Sequence, residues 1–227
     1  MPETTSSSAA FIDAIKAGEF ERVKAMVSAE PTLIDARSRT GDSAILTAVY
    51  HRQKEIVNLL VARGANLSLF EACAAGELER VERLLEESAP GAPGVNDYSA
   101  DGWTPLHLAA FFGHAKIAEL LIAHDANVAA RSRGANGNTA LHAALAGNHK
   151  FVAALLIGHG ADVNAADAQG WRPLHLAAAN NNMDAMKQLI AQGADVNAAN
   201  GEAKTALSLA TEKNHREAAV LLRRHGA

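Results

Sequence analysis

The stretch DGWTPLHLAAFFGH, residues 101–114, contains the motif on which the fold of this chain depends. Its tetrapeptide TPLH, at 104–107, returns three more times further along the chain, as TALH at 139–142, RPLH at 172–175 and TALS at 205–208. The steps between successive copies are 35, 33 and 33 residues. A nearly fixed period of this length indicates an array of structural repeats, so each motif has to be interpreted as part of a repeating unit.

Each position of the repeat has a physical role. Thr104 can accept a hydrogen bond from a free backbone N–H at the start of a helix, and Pro105 then occupies the first helical turn, where its missing N–H costs nothing. A second helix follows in each repeat, as in KIAELLIAH at 116–124. Gly160 and Gly193 suit the left-handed position that ends this second helix. Polar stretches such as ADVNAAD then predict a hairpin turn leading to the next repeat.

This pattern resembles the ankyrin repeat family, whose repeats run roughly D-x-x-G-x-T-P-L-H-L-A-A-x-x-G-H, then an apolar helix and G-A-D-V-N-A. The resemblance is strongest over residues 99–227, and weaker copies extend it back to about residue 11. It implies an all-α fold, an ankyrin-type helical-repeat solenoid with short β-hairpin fingers. It also implies a non-enzymatic protein–protein interaction module that binds through a concave face.

Seven helix pairs, here numbered as repeats 1 to 7, are predicted to begin near residues 11, 45, 69, 106, 141, 174 and 207. We expect them to form a single domain over residues 9–227, preceded by a disordered N-terminus at 1–8. The step of 24 residues between the second and third pairs is too short for a complete repeat. It predicts that the finger between residues 66 and 69 is missing.

Composition and charge exclude several function classes. The net charge is −4, and neither half of the chain is basic enough to follow a nucleic-acid backbone. The single cysteine, Cys73, cannot form an internal disulfide or the paired-cysteine zinc sites. The start of the chain lacks a secretion signal and no apolar run is long enough to cross a bilayer. We therefore expect a cytoplasmic monomer with no cofactor, no metal, no nucleic acid and no membrane partner.

The recurring Thr and His side chains invite a catalytic or metal-binding interpretation. His107, His142 and His175 recur once per repeat, but repeats stack about 10 Å apart, whereas zinc needs each nitrogen at about 2 Å. The Thr104–His107 couple also recurs, whereas an active site is assembled once. Ser43, in GDSA, occupies the cap position of its own repeat. The sequence therefore favours local hydrogen bonding for these residues and predicts no catalytic residue.

Aromatic residues at positions that the repeat does not need for its core point to a binding surface. Phe111 and Phe112 follow the Ala-Ala pair, where most other repeats carry small or polar residues, and Trp103 and Trp171 lie between the finger glycine and the helix cap. The predicted partner-binding residues are Trp103, Phe111, Phe112, Trp171, Tyr50, Asn138, Asn180 and Lys204. The alternative is that Phe111 or Phe112 packs against repeat 3 to compensate for its poor match to the pattern.

These observations predict a module that binds a protein partner through its concave face and finger tips. One alternative is a chaperone-like or inhibitory protein that shields an apolar patch of a client. A less favoured alternative is a ligand-binding regulator or an enzyme built on the repeat scaffold, which would need a set of titratable residues unique to one place.

Overall fold

The computed structural model describes residues 3–87 and 94–227, with side chains from residue 7 onward. Within these ranges the regular secondary structure is helical, with fourteen α-helices, one short 3₁₀ helix and no β-strand. The helices form the seven pairs that the repeat predicts. The chain divides into two compact units, Met1–Arg80 and Val81–Ala227.

The first unit contains the first two helix pairs and the first helix of the third. Its helices are α1 (Glu3–Ala17), α2 (Phe20–Ala29), α3 (Ala44–Tyr50), α4 (Lys54–Ala62) and α5 (Leu69–Ala75). The 3₁₀ helix, Pro31–Asp35, lies between α2 and α3, and α6 (Leu78–Glu86) crosses the boundary between the units. The side chains of Phe11, Ile15, Ile56 and Leu60 are fully buried and form the centre of this unit's core.

The N-terminus differs from the expectation for residues 3–8. Helix α1 begins at Glu3, so the helix includes these residues, while residues 1 and 2 lie outside the described ranges. The serine-rich start has no helical periodicity, but the buried Phe11 and Ile15 anchor the helical turns that follow it. Adding turns to an existing helix costs less free energy than starting a new one. The Ser7 hydroxyl also donates a hydrogen bond of 2.8 Å to Glu30 Oε2.

The missing finger of the first unit is confirmed. The finger before α3 contains an antiparallel bridge between Arg37 and Ser43, whereas α4 and α5 are joined by residues 63–68 alone, without a bridge. Ser68 caps α5 directly, because its hydroxyl accepts the Glu71 amide while the Glu71 carboxylate accepts the Ser68 amide. This reciprocal capping box starts the helix without a preceding hairpin.

The second unit contains four complete helix pairs. They are α7 (Pro105–Phe112) with α8 (Ala115–Ala123), α9 (Ala140–Ala146) with α10 (Lys150–Gly158), α11 (Pro173–Ala179) with α12 (Met183–Ala191), and α13 (Ala206–Glu212) with α14 (Arg216–Arg224). The first helices pack against one another in the order α7, α9, α11 and α13, and the second helices α8, α10, α12 and α14 form a parallel row. Leu121, Leu156 and Leu189 are fully buried at equivalent places between the rows.

The fingers are simpler than the predicted β-hairpins. Some fingers contain one isolated antiparallel bridge, as between Arg131 and Thr139 and between Ala199 and Thr205. Backbone hydrogen bonds connect successive fingers instead, such as Arg133 N–H to the Gly102 carbonyl at 2.8 Å. Gly102 is required at this contact, because its φ is +77° and an added Cβ would lie 2.9 Å from the Gly134 nitrogen. The fingers therefore support one another edge to edge.

Candidate partner-binding face

The recurring histidines connect each repeat to the next. The Thr104 hydroxyl lies 2.7 Å from His107 Nδ1, and His107 Nε2 lies 2.9 Å from the carbonyl oxygen of Asn138. Nδ1 therefore accepts and Nε2–H donates. The equivalent Nε2 contacts are His142 to the Trp171 carbonyl at 3.0 Å and His175 to the Ala198 carbonyl at 2.9 Å. The predicted local hydrogen bonding is confirmed at Nδ1. The Nε2 bond of each histidine also reaches the finger of the next repeat.

Burial determines the charge state of these rings. Desolvation lowers the pKa of His107, His142 and His175 below the usual histidine value of 6.5, although the bonds to backbone carbonyls act in the opposite direction. At neutral pH the three rings are therefore uncharged, which the accepting role of Nδ1 in all three also requires. Both nitrogens of these rings are engaged within the protein, so neither is available to a substrate.

The other residues with potential chemistry also have structural roles. Ser43 Oγ accepts the Leu46 amide at 3.2 Å, which confirms its role as the cap of α3. Cys73 is fully buried in α5, and burial raises the pKa of its thiol far above the usual value. Among the residues that the structure describes, no group of His, Cys, Asp and Glu is arranged to hold a metal ion. Nor is any described helix long and apolar enough to cross a membrane.

Three of the predicted residues form an aromatic cluster, here defined as Trp103, Phe111 and Phe112. The Trp103 and Phe111 rings meet edge to face at 5.4 Å, and the Phe111 and Phe112 rings do the same at 5.1 Å. All three side chains are half-buried. Trp103 also lies edge-on to His107, with the ring centres 5.8 Å apart. Trp103 thus partly covers the buried histidine of its own repeat while its remaining surface faces solvent.

Trp171 lies outside the cluster, and Tyr50 belongs to the first unit. Trp171 is half-buried and its ring meets His175 edge-on at 6.0 Å, the same arrangement that Trp103 has two repeats earlier. Within the described ranges no ring contact joins Trp171 to the aromatic cluster. Tyr50 ends helix α3 in the first unit and is 40% exposed.

The three predicted polar residues all make contacts within the protein. The Asn180 side-chain amide donates to the Leu145 carbonyl at 2.8 Å, so it connects repeats 5 and 6. Lys204 Nζ lies 3.0 Å from the Glu212 carboxylate, and this hydrogen bond raises the lysine pKa. Asn138 supplies the carbonyl that His107 binds, while its side-chain oxygen is buried with no partner among the described residues.

Two surface aromatics lie outside the predicted set of partner-binding residues. Tyr98 lies under the Arg133 guanidinium, 3.9 Å from the ring centre, so it supports the longer finger of the next repeat. Phe151 on α10 is 74% exposed, the largest exposure among the large apolar side chains of the described residues. The sequence does indicate that Phe151 is exposed, because the equivalent positions in the other repeats of this unit carry charged residues, namely Lys116, Asp184 and Glu217.

Comparison with known proteins agrees with this architecture. A family model described as ankyrin repeats (three copies) matches residues 69–167 and, again, residues 152–227, which together exceed half of the chain. The chain belongs to the ankyrin repeat family. Ankyrin repeats are generally protein–protein interaction modules. In this ankyrin array, the aromatic cluster belongs to a repeat within the matched range.

Proposed function

We propose that this ankyrin array binds a protein partner through the concave side and fingers of repeats 4 to 6, as a cytoplasmic monomer without catalytic activity. The observation that carries the proposal is the half-exposed aromatic cluster at positions that the repeat does not use for its core. Large aromatic anchors surrounded by small or polar residues are typical of interface centres. Tyr50 of the first unit, which is 40% exposed, is proposed as a separate contact residue.

The spacing of the two tryptophans supports an interface of ordinary size. Trp103 and Trp171 are two repeats apart and adopt the same edge-on arrangement over His107 and His175. Two repeats correspond to about 20 Å if each adds ~10 Å. A face of this width suits a standard interface that buries ~800 Å² on each partner. Lys204 would lie at the polar rim, whereas Asn138 and Asn180 would mainly hold the rim in place.

The contacts of the Thr and His residues favour a binding role over catalysis. The Thr104 hydroxyl caps α7, and both nitrogens of His107 are engaged. A general base needs a free nitrogen within hydrogen-bond reach of its substrate. The same hydrogen-bonding pattern recurs at His142, so it is a property of the repeat.

The first prediction tests the aromatic cluster with one partner in hand, identified by affinity capture and mass spectrometry. Phe112→Ala should weaken binding by more than ~1 kcal/mol, the usual mark of an anchor residue. Lys116→Ala is the control, because it truncates an exposed side chain on α8 of the same repeat, outside the concave side, and should leave the dissociation constant unchanged. Isothermal titration of both variants measures the difference.

Equal affinity of the Phe112→Ala variant and the unmodified protein would contradict the interface. Trp103→Ala is a less decisive variant, because Trp103 packs on His107 and its loss should also lower the melting temperature. The number of captured proteins separates two versions of the function. One dominant partner supports a dedicated adaptor, and many unrelated clients that share apolar patches support a shielding chaperone.

A further inference from the structure

A second exposed surface lies on the row of second helices, formed by α10, α12 and α14 of repeats 5 to 7. We call it the outer face. Phe151 on α10 is 74% exposed and Val220 on α14 is 44% exposed. They are two of the three large apolar side chains with the greatest exposure in the described part of the chain. Neither belongs to the aromatic cluster, which lies on α7 and the finger before it.

The repeat register shows that these apolar residues are departures from the pattern. Phe151 replaces the charged residue found at Lys116, Asp184 and Glu217 in the other repeats of this unit. Val220 is equivalent to Glu119 and Lys187, which are charged and exposed, and to the small Ala154. The core does not require an apolar residue at either position, since the equivalent charged residues lie in solvent. Their exposure is therefore a property of the surface.

Two shallow grooves connect Phe151 and Val220 across the outer face. One, of about 330 Å³, lies between α10 and α12 and is lined by Phe151, Ala154 and Lys187 among others. The other, of about 370 Å³, lies between α12 and α14 and is lined by Met183, Val220 and Leu221 together with charged residues. Lys187 lines both grooves, so together they form one continuous surface across three helices.

The charge of this surface is positive. Lys187, Arg216 and Arg224 line the grooves and form no ion pair or side-chain hydrogen bond with any described residue. Of the two carboxylates beside them, Asp184 is already paired with Lys150 at 3.7 Å, which leaves Glu217. Three unpaired positive charges and one unpaired negative charge thus surround the exposed apolar side chains.

We propose that the outer face is a second docking surface, which binds an acidic amphipathic helix of a partner protein. Apolar side chains spaced at i, i+3, i+4 and i+7 on such a helix would enter the grooves beside Phe151 and Val220. Its carboxylates would pair with Lys187, Arg216 and Arg224. Charge complementarity of this kind increases the rate of association and discriminates against basic partners.

A direct test uses a synthetic probe with the full chain. The probe is a fluorescent peptide of about 18 residues, which as a helix spans ~27 Å, with leucines at i, i+3, i+4 and i+7 and glutamates on the other positions. Fluorescence anisotropy should show saturable binding that weakens as salt increases. A scrambled peptide of the same composition and a peptide with lysine in place of glutamate should bind at least about tenfold more weakly.

Substitutions then locate the binding. Phe151→Lys and Lys187→Glu should each weaken binding of the acidic peptide about tenfold or more. The matched control is Lys116→Ala, at the position on α8 equivalent to Phe151, and it should change nothing. Trp103→Ala should also leave peptide binding unchanged, which separates the outer face from the function proposed for the concave side. Thermal melting should show Phe151→Lys folded, since lysine already occupies the equivalent position on α8.

Several results would overturn the proposal. Equal binding of the scrambled peptide, unchanged binding by Phe151→Lys, or no saturable binding would show that the outer face does not recognise an acidic amphipathic helix. Sedimentation of the unmodified protein provides another test. A dimer that Phe151→Lys converts to a monomer would assign the outer face to a second copy of this chain.

Discussion

The junction between repeats 4 and 5 differs from the two junctions that follow it in the same unit. At the later junctions an asparagine in the loop after one second helix binds the end of the next. Asn164 donates to the Gly193 carbonyl at 2.9 Å and accepts the Asp195 amide at 2.8 Å, and Asn197 donates to the Gly226 carbonyl at 3.0 Å. The equivalent residue between repeats 4 and 5 is Ala129, which can form neither bond.

At this junction a longer finger provides the connecting contacts instead. Arg131 Nη1 reaches the Gly137 carbonyl at 3.1 Å and the Ala166 carbonyl of the next finger at 2.8 Å, while Arg133 covers Tyr98. All of these contacts are exposed, and Arg131 and Asn164 each bond to two backbone groups, Arg131 in the fingers and Asn164 after the second helix of the next repeat. Neighbouring repeats with the same helices can therefore be joined by different means, and the differences lie in the loops.

The largest expected effect is a loss of stability at acidic pH, to which the buried histidines of all three junctions contribute. The unfolded chain binds protons at His107, His142 and His175 as the pH falls below about 6.5, whereas burial keeps the native rings neutral to lower pH. Stability should therefore be lost as the pH falls from about 6.5, by up to ~1.4 kcal/mol per pH unit for each histidine. Urea unfolding between pH 7.5 and 5.5 measures this slope.

The contribution of one ring can be isolated in the same experiment. His175→Asn removes one of the three buried rings, so the pH dependence of its free energy of unfolding should be flatter than that of the unmodified chain. An unaltered slope would mean that other groups cause the acid sensitivity.

The next largest effect is a loss of stability that should differ between the junctions. His107→Ala removes the bond to the Asn138 carbonyl at the junction without the asparagine, and should lower the free energy of unfolding by ~3 kcal/mol, as expected for a buried hydrogen-bonded ring. His142→Ala is the matched variant at a junction that retains Asn164, and it should cost less. Equilibrium unfolding of both variants compares them. A larger loss for His142→Ala would show that the asparagine does not compensate.

A smaller effect should follow from moving the asparagine. Ala129→Asn introduces the missing side chain, which can bind the Gly160 carbonyl and the Asp162 amide, and should raise the free energy of unfolding by ~1 kcal/mol, the net value of a typical hydrogen bond. Asn164→Ala should lower it by a similar amount. Destabilisation by Ala129→Asn would indicate that the longer finger holds this loop in a different geometry.

The smallest effect concerns the end of α8. Asp125 has φ of +63°, where the equivalent positions have Gly160 and Gly193 with φ of +80° and +83°. A side chain in this left-handed region is strained, so Asp125→Gly should raise the free energy of unfolding by about 1 kcal/mol. The Asn96 bond uses the Asp125 carbonyl and therefore persists in the variant. Thermal melting of Asp125→Gly and of Gly193→Asp should show shifts of opposite sign.

The sequence by itself determined the repeat period, the seven helix pairs and the missing finger before α5. It also identified Thr104 and Ser43 as caps. These features are local, because helix periodicity, capping and left-handed turns depend on residues within a few positions of one another. They could therefore be read without knowing how the repeats stack.

Only the tertiary structure decided how the side chains of one repeat meet the next. The second bond of His107 reaches a finger 31 residues away, and Asn180, predicted as a binding residue, bonds to a carbonyl 35 residues away. The packing of Trp103 on His107 and the helical start at Glu3 likewise depend on neighbouring structure. Such contacts follow from the offset between stacked repeats, which the sequence period does not specify, since the same period permits different loop geometries.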